Sequence, residues 1–579
     1  MYSFTLFSIM STVREGIDPL QHTSIYYRRE DSDESDGENG MGNVNRLIVR
    51  PPGHSGKAKR GHLCFDASFE TGNLGRVDLI NEFEYDLYIR PDSCSPRFRF
   101  WFNFTVDNVK QDQRVIFNIV NMHIGKNLFT ARMTPMVKSS TRNKWQRMPK
   151  EYVFYHRSST HRNHYVLSFV FGFDKEDEIY QFAMAIPYSY SRLQTFLNVL
   201  ETRTLHLKRN FNRESLTTSL HNRRLELITV GNDKGAHNQS KKRIIAVMAR
   251  INPGDSPSSM VCQGLLEILI SSNSLASVLR KNVIFKVLPM MNPDGVFVGN
   301  HRSNIMGVDL SRSWHIATSF SHPTLWAVLQ MLRSFQDESN QLDFVIDIHT
   351  HSSLNGCFIY GNTYDDFYRY ERHVLFPKLF ASAAVDYAKD NTLFNSDPMA
   401  NGTSRRHLCC SLDSKVNTYL LEVSIFGYKT KEYDYLIPYS EESYKRCGMN
   451  LVKAFLEYYH CIGIIPTQLI KNLPTKKKRT GKRYKNNDKL TLGNVKRRSA
   501  QVHVQDISIT YDSEITLETC ANKKIRSPKV LVNTRNNRIK GEYTPRKFNK
   551  TLPETNEHCN VSLTETSLSI IDINKMLDF

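Results

Sequence analysis

Three short, almost continuous apolar segments constrain the fold of this chain more than any other feature. They occupy residues 244–249, 283–289 and 344–348. Strands buried on both faces have this pattern, whereas a strand with one solvated face alternates apolar and polar residues. Between them, the spacing of Leu, Ile, Val and Met at 258–270 and 323–335 predicts helices. Residues 205–465 are therefore predicted to form an α/β domain in which helices flank a mixed sheet.

The preceding part of the chain, residues 46–200, has the two-residue period of β-strands. Aromatic residues from Phe98 to Phe104 and then Val106 alternate with mostly polar neighbours, and residues 114–120 are rich in β-branched side chains. Turn-forming residues separate these runs. We predict an antiparallel β-sandwich as the N-terminal domain.

Both ends of the chain lack the composition of a packed core. Residues 1–45 include an acidic, polar stretch at 30–38, and residues 466–579 show no sustained periodicity. Twelve basic residues and one acidic residue lie from Lys471 to Ala500, so much of the net charge of +19 is concentrated there. We predict that both ends are disordered and that the tail contacts polyanions. Lys476 to Arg479 also fit a nuclear-localisation patch.

The spacing of the cysteines and the hydropathy argue against a secreted, disulfide-bonded protein and against a membrane protein. Ten cysteines are scattered with no Cys-x-x-Cys, which indicates neither a disulfide framework nor a thiolate zinc site, and favours a reducing compartment. There is no apolar run of about 18 residues and no basic leader before an apolar core, so neither membrane insertion nor secretion is predicted.

Seven short segments carry motif residues, and several of them lie where predicted strands end, the place where sites in α/β sheets gather. The segments are residues 65–78, 252–255, 261–264, 292–295, 309–314, 347–352 and 418–424. In order and spacing they resemble the cytosolic carboxypeptidases, the intracellular branch of the zinc metallocarboxypeptidases, over roughly residues 45–465. The resemblance implies a cytoplasmic enzyme that removes C-terminal glutamates from polyglutamylated tubulin and other acidic tails by zinc-dependent hydrolysis.

The resemblance also places the metal site, and there this chain departs from the family. The family's His-Pro-Gly-Glu turn, which supplies two zinc ligands, is Asn252-Pro253-Gly254-Asp255 here, and His349 matches the third ligand. A neutral carboxamide is not a usual zinc ligand, and aspartate withdraws the carboxylate by about 1.5 Å in a site that needs Zn–O of about 2.0 to 2.2 Å. A replacement set of Asp255, His349 and either His351 or His301 stays open.

Two further positions match catalytic residues of the family. Glu422 corresponds to the general base, and its apolar neighbours favour a raised pKa. Arg302 corresponds to the arginine that stabilises the developing oxyanion of the scissile carbonyl.

Four other positions match substrate-binding residues. Arg312 belongs to the pair that binds the substrate's terminal carboxylate, and Ser311 stands where the family has asparagine. Arg405 and Arg406 follow a loop that resembles a Gly-Thr-Gly-Arg-Arg segment and would suit an acidic side chain. An exposed basic pair without function is the alternative interpretation of these two arginines.

Three functions remain open from the sequence. The first is a catalytically impaired or inactive protein that keeps the pocket and binds acidic C-terminal tails, because two of three zinc ligands are replaced. The second is an active deglutamylase with an unusual metal site. The third is a microtubule or nucleic-acid interaction protein that acts through the basic tail. The predicted location is the cytoplasm, with microtubule association and nuclear entry as further possibilities.

Overall fold

The computed structural model describes residues 42–471, except 55, 123–127, 131–132, 207–209, 232–241, 337–339 and 431–434. Most of the acidic lead and of the basic tail, including all of the tail beyond Lys471, lies outside the described residues. The disorder, polyanion contact and nuclear-localisation patch expected there stay predictions.

The N-terminal strands form two sheets that pack face to face. The strands are β1 Leu47–Ile48, β2 Cys64–Asp66, β3 Arg76–Asn81, β4 Glu84–Tyr88, β5 Asn103–Asp107, β6 Arg114–Ile119, β7 Met136–Ser139, β8 Gln146–Arg147, β9 Val153–Ser158, β10 His164–Gly172 and β11 Tyr180–Ala183. Their orders are β1-β2-β5-β11-β7-β8 and β3-β4-β6-β10-β9. All described pairs are antiparallel except β4 with β6. One aromatic-rich core lies between the sheets, which confirms the predicted sandwich.

The strand predicted around Phe98 to Val106 is shorter than its alternation suggested. Regular pairing begins only at Asn103, and the polar positions Asn103 and Thr105 are buried along with the aromatic ones. Asn103 Nδ2 donates to Thr71 Oγ1 at 2.9 Å, so this polar face packs on protein instead of solvent.

The remaining elements form an α/β domain. Its helices are α1 Tyr190–His206, α2 Ser256–Ile270, α3 Ser274–Asn282, α4 Pro293–Val298, α5 Pro323–Ser334, α6 Phe367–Ala383, α7 Ser404–Ser411, α8 Glu441–Cys461 and α9 Thr467–Lys471. Its strands are β12 Phe211–Thr218, β13 Arg224–Gly231, β14 Lys242–Ala249, β15 Val283–Leu288, β16 Asn340–His351, β17 Cys357–Asn362, β18 Leu393–Asn395, β19 Asn417–Ser424, β20 Gly427–Tyr428 and β21 Ile437–Pro438. Eight strands form one sheet in the order β12-β13-β15-β14-β16-β19-β17-β18. It is mixed, as predicted, because β12, β13 and β17 run antiparallel to neighbours.

The three parallel strands β14, β16 and β19 position the candidate site. Ala249 pairs with Ile348, and His349 pairs with Glu422, so the chain leaves all three strands at the same edge of the sheet. Apolar clusters cover both faces of the sheet, as the continuous apolar segments predicted. No single described helix is long and apolar enough to cross a membrane; α2 and α3 reach that length and composition only together, and they are bent by 87°.

Candidate functional site

The turn at 252–255 joins β14 to α2 in a conformation fixed by a buried arginine. Arg250 has φ of 60° and is 1% exposed. Its guanidinium donates to Pro253 O at 2.8 Å and to Ser259 Oγ at 3.0 Å. Gly254 leaves no room for a side chain, because a Cβ there would lie 2.4 Å from His301 Nδ1. The corner that the family uses for two metal ligands is thus formed here.

His349 lies between two carboxylates. Its Nε2 is 3.0 Å from Asp347 Oδ2, and its Nδ1 is 3.5 Å from Asp255 Oδ2. Asp255 Oδ2 also accepts a hydrogen bond from the Thr350 amide at 3.1 Å. All three side chains are almost completely buried, so these ionic contacts are poorly screened by water. The arrangement is a carboxylate–imidazole–carboxylate cluster at the end of β16.

The buried charges perturb two pKa values in this cluster. Burial alone would lower the pKa of His349, but Asp347 and Asp255 more than compensate, and the pKa lies well above 6.5. Burial raises the pKa of Glu422 to about 7; His349 opposes this shift and Asp255 adds to it. The two neighbouring carboxylates therefore favour the protonated form of His349.

These residues do not fit the zinc ion that the family motif implies. Only two of the family's three ligand positions, Asp255 and His349, still carry a usual zinc ligand, and His349 Nε2 faces Asp347 as a metal-bound imidazole commonly faces a carboxylate. The remaining position, Asn252, carries a neutral carboxamide, which is not a usual zinc ligand. Asn252 uses its amide nitrogen to donate to Arg302 O at 3.1 Å and Asp309 Oδ1 at 3.2 Å. Among the described residues, this centre nowhere brings three ligand atoms of His, Cys, Asp or Glu within 4.8 Å of one another.

The replacement ligand set considered from the sequence is not brought together either. His351 Nδ1 accepts hydrogen bonds from the amides of Ser353 at 3.1 Å and Leu354 at 2.9 Å, which turn the chain after β16. His301 packs against Phe100 with ring centroids 5.0 Å apart and the ring planes tilted by 59°. Neither histidine forms a cluster of three ligand atoms with Asp255 and His349 among the described residues.

Arg302 is held beside the centre by two aspartates. Its Nε donates to Asp309 Oδ2 at 2.6 Å, and Asp309 in turn raises the pKa of Arg302 against the lowering effect of burial. Asp92, which comes from the N-terminal domain, accepts from the amides of His301, Arg302 and Ser303 at 2.6 to 2.7 Å. The loop carrying Arg302 is thus anchored to the sandwich.

Arg312 and Ser311 lie on a 3₁₀ turn, Leu310–Arg312. Ser311 Oγ donates to Asp309 Oδ1 at 2.6 Å, so its proton is already engaged. The Arg312 side chain makes no hydrogen bond or ion pair with any residue in the described part of the chain, and it is only half-buried. Burial and the charge of Arg302 lower its pKa, while Asp309 and Glu422 oppose that shift. Arg312 is a cation next to the centre to which no anion of the described residues is bound.

Arg405 and Arg406 have different environments. Arg405 is 3% exposed and donates to the Gly361 carbonyl and to Asn395 Oδ1 at 2.8 Å, so it joins β17 to β18 and is not part of an exposed basic pair. Arg406 is half-buried and donates to Asn362 Oδ1 at 3.2 Å. Their contacts are with protein groups; substrate binding by either stays a prediction.

Sequence reasoning missed the aspartates that organise the centre. Asp309 and Asp347 lie inside quoted motifs, two residues before Ser311 and His349, so their position could have been noticed. Asp92 had no such signal, because it comes from another domain and reaches the site only through tertiary packing. Arg250 likewise shows its role only through the contacts described above.

Two family models match the chain. The model for the cytosolic carboxypeptidase N-terminal domain matches residues 65–177, and the model for zinc carboxypeptidases matches residues 198–446. Together they cover the sandwich and the α/β domain.

Relatives and solved structures agree with these matches. Cytosolic carboxypeptidase 6 of Mus musculus is 47% identical over 73% of this chain and 78% of its own length, and that of Caenorhabditis elegans is 39% identical over 69% and 88%. Metallo-carboxypeptidases from Burkholderia cenocepacia and Pseudomonas aeruginosa superpose with TM-scores of 0.58 and 0.57. Both comparisons cover 69% of this chain and 100% of the bacterial chain, at 20% and 21% identity, which supports a shared fold.

Proposed function

The chain belongs to the cytosolic carboxypeptidases, a family of zinc carboxypeptidases, and on this premise we propose that it binds acidic C-terminal tails without hydrolysing them efficiently. Polyglutamylated tubulin is the ligand that the family resemblance favours. The pocket acts as a binding site for a free carboxylate, with the family's metal chemistry lost.

One observation carries the proposal: Asn252 stands at one of the three ligand positions with its side-chain nitrogen directed at Arg302 O and Asp309 Oδ1, so only Asp255 and His349 remain as usual zinc ligands. A neutral carboxamide does not replace the imidazole that the family's metal requires. Without a metal, Glu422 has no activated water from which to take a proton.

The ligand class follows from Arg312. A half-buried guanidinium that pairs with no anion in the part of the chain that the structure describes is matched by a carboxylate, which it can bind through two parallel hydrogen bonds. Arg302, fixed on Asp309, adds positive charge on the same side of the centre. Both arginines are still present although the two metal ligands have changed, so binding is the property that survives.

The test compares binding and turnover on the same peptide. Calorimetry is expected to show that the wild-type protein binds a peptide ending in several glutamates and binds its C-terminal amide less well, with no glutamate released over hours. Release of glutamate at a rate that scales with enzyme concentration and stops with a chelator would refute the proposal and support an active deglutamylase with an unusual metal site.

Deleting residues 466–579 separates the pocket from the basic tail. We expect the truncated protein to keep its preference for the free carboxylate over the amide. Loss of all peptide binding on truncation would instead assign binding to the tail. For the cellular location we propose the cytoplasm with microtubule association; unchanged distribution of the tagged protein after tubulin glutamylation is removed would contradict it.

A further inference from the structure

Two thiols and a carboxylate meet inside the α/β domain, at a place that the family's chemistry does not use. Cys357 begins β17, Asp386 lies in the segment after α6, and Cys447 lies in α8. Their ligand atoms lie within 4.8 Å of one another. The three residues are 0%, 3% and 1% exposed, so the cluster is closed to solvent.

One carboxylate oxygen of Asp386 is hydrogen-bonded and the other meets no N–H or O–H donor among the described residues. Tyr439 donates its hydroxyl hydrogen to Asp386 Oδ2 at 2.6 Å, and the Cys357 amide donates to the Asp386 carbonyl at 3.0 Å. Oδ1 is buried and accepts no hydrogen bond from an N–H or O–H group of the described residues, and the Cys357 thiol is the polar side chain that interacts with this carboxylate inside the cluster. Leaving a buried carboxylate oxygen unsatisfied costs free energy, which a bound cation would recover.

The cluster is separate from the centre at His349 and Glu422. Cys357 pairs with Val423 across β17 and β19, and Phe358 pairs with Glu422. Successive residues of a strand point to opposite faces, so Cys357 and Glu422 lie on opposite sides of the sheet. Cys357 and Val423 both belong to the apolar core on the α8 side. An ion bound by Cys357 would not replace the family's metal.

The donor set selects the kind of ion. Two sulfur ligands and one oxygen do not suit Ca²⁺ or Mg²⁺, which take oxygen ligands, and they are too few for an iron–sulfur cluster. Zn²⁺ binds thiolates and carboxylates in a tetrahedron with Zn–S of about 2.3 Å, which places two sulfurs about 3.8 Å apart. A set of atoms within 4.8 Å needs to contract by at most about 1 Å to reach that geometry.

We propose that Cys357, Asp386 and Cys447 form a structural zinc site that fastens β17 and the segment after α6 to helix α8. Zn²⁺ binding displaces one proton from each thiol and forms two Zn–S bonds and one Zn–O bond to Asp386. A buried water completes the tetrahedron. The net charge of the loaded site is −1, and Arg446, which interacts electrostatically with both Asp386 and Cys447, offsets it.

Zinc binding must overcome the protonation of both free thiols, whose pKa values are raised. Burial, with Cys447 and Asp386 adding to it, raises the pKa of Cys357 well above 9.0, so without a metal the thiol is neutral. Bound zinc competes with that proton, and the closed surroundings mean that the ion enters during folding or local opening.

The test measures metal content, with variants that separate the two places where zinc could bind. The full-length protein is produced in zinc-containing medium, purified under reducing conditions and analysed by mass spectrometry. We expect about one zinc per chain, which a mercurial thiol reagent releases to a coloured chelator. Cys357→Ser with Cys447→Ser should lose it, whereas Cys262→Ser, which changes another buried thiol in the same domain, should keep it.

Two further variants distinguish loss of this zinc site from failure to fold and from zinc bound near His349. Asp386→Asn preserves size and the bond from Tyr439, and it should lower zinc occupancy even if the double cysteine variant fails to fold. His349→Ala should leave zinc unchanged. The protein loaded with Co²⁺ should show a thiolate charge-transfer band that the double cysteine variant lacks. Absence of zinc, zinc that disappears with His349→Ala, or a Cys357–Cys447 disulfide in the reduced preparation would overturn the proposal.

Discussion

Replacing Arg312 with methionine is expected to abolish the preference of this protein for a free C-terminal carboxylate. The guanidinium is half-buried and makes no ion pair within the described residues, so an incoming carboxylate need not displace a protein anion. Each charge-assisted hydrogen bond contributes about 1.5 to 3 kcal/mol. Partial exposure and repulsion from Arg302 reduce the sum of two such bonds to about 2 to 3 kcal/mol, or roughly 30- to 150-fold in Kd.

A double-mutant cycle isolates this contribution. Calorimetry measures the affinities of the wild-type and Arg312→Met proteins for a glutamate-tail peptide and for its C-terminal amide. Amidation of the peptide should raise its Kd for the wild-type protein by roughly 30- to 150-fold and should scarcely change its Kd for Arg312→Met. Arg203→Met, which removes an exposed cation from α1, controls for net charge and should behave like the wild type. An equal effect of amidation on the wild type and on Arg312→Met would refute the assignment.

Three other perturbations test the structure around the site. The double variant Asn252→His with Asp255→Glu should bind one additional zinc per chain and release glutamate from a glutamate-tail peptide. If it binds this zinc and leaves the peptide uncleaved, the rest of the pocket is not preserved. Gly254→Ala should destabilise the protein by about 1 to 3 kcal/mol in thermal unfolding, because its methyl group would lie 2.4 Å from His301 Nδ1 and 2.8 Å from His301 O; an unchanged Tm would contradict the close packing. Burial lowers the pKa of His373 to about 3 from 6.5, so below pH 6.5 the unfolded chain binds a proton that the folded chain does not, and stability falls with pH down to about 3. Urea unfolding at pH 6.5 and pH 5 should show a loss of about 2 kcal/mol from this group that is missing in His373→Gln; identical losses in both proteins would argue against a neutral buried histidine.

The strands and helices of the α/β domain could be predicted closely because their signals are local. The apolar segment at 344–348 lies within β16, and the helix predicted at 323–335 is α5, Pro323–Ser334. Burial on both faces requires apolar side chains at successive positions, and this requirement is written in the sequence. The prediction of a strand from Phe98 to Val106 was less accurate, because the polar face of this segment is buried by Thr71 and other residues that are distant in the sequence.

The candidate site was only partly predictable. Motif positions placed His349 and Glu422 at neighbouring strand ends, and the register of β16 and β19 brings them side by side. Arg405 looked like Arg406 in the sequence, yet one is buried between strands and the other is half-buried. Whether an arginine binds a ligand or protein carbonyls depends on which carbonyls the fold brings near it, and residue type does not encode that.

By itself, the sequence determined the family, the sheet and the chemical identity of the altered ligands, since a carboxamide at 252 and a shortened carboxylate at 255 are properties of single side chains. Only the tertiary structure decided what those side chains do. It paired Asp255 and Asp347 with His349, and it gave Arg312 no bound anion among the described residues. It also assembled Cys357, Asp386 and Cys447 from three separate segments. The spacing of the cysteines gave no sign of a thiolate site, because ligands brought together by strand pairing and helix packing need no short spacing along the chain.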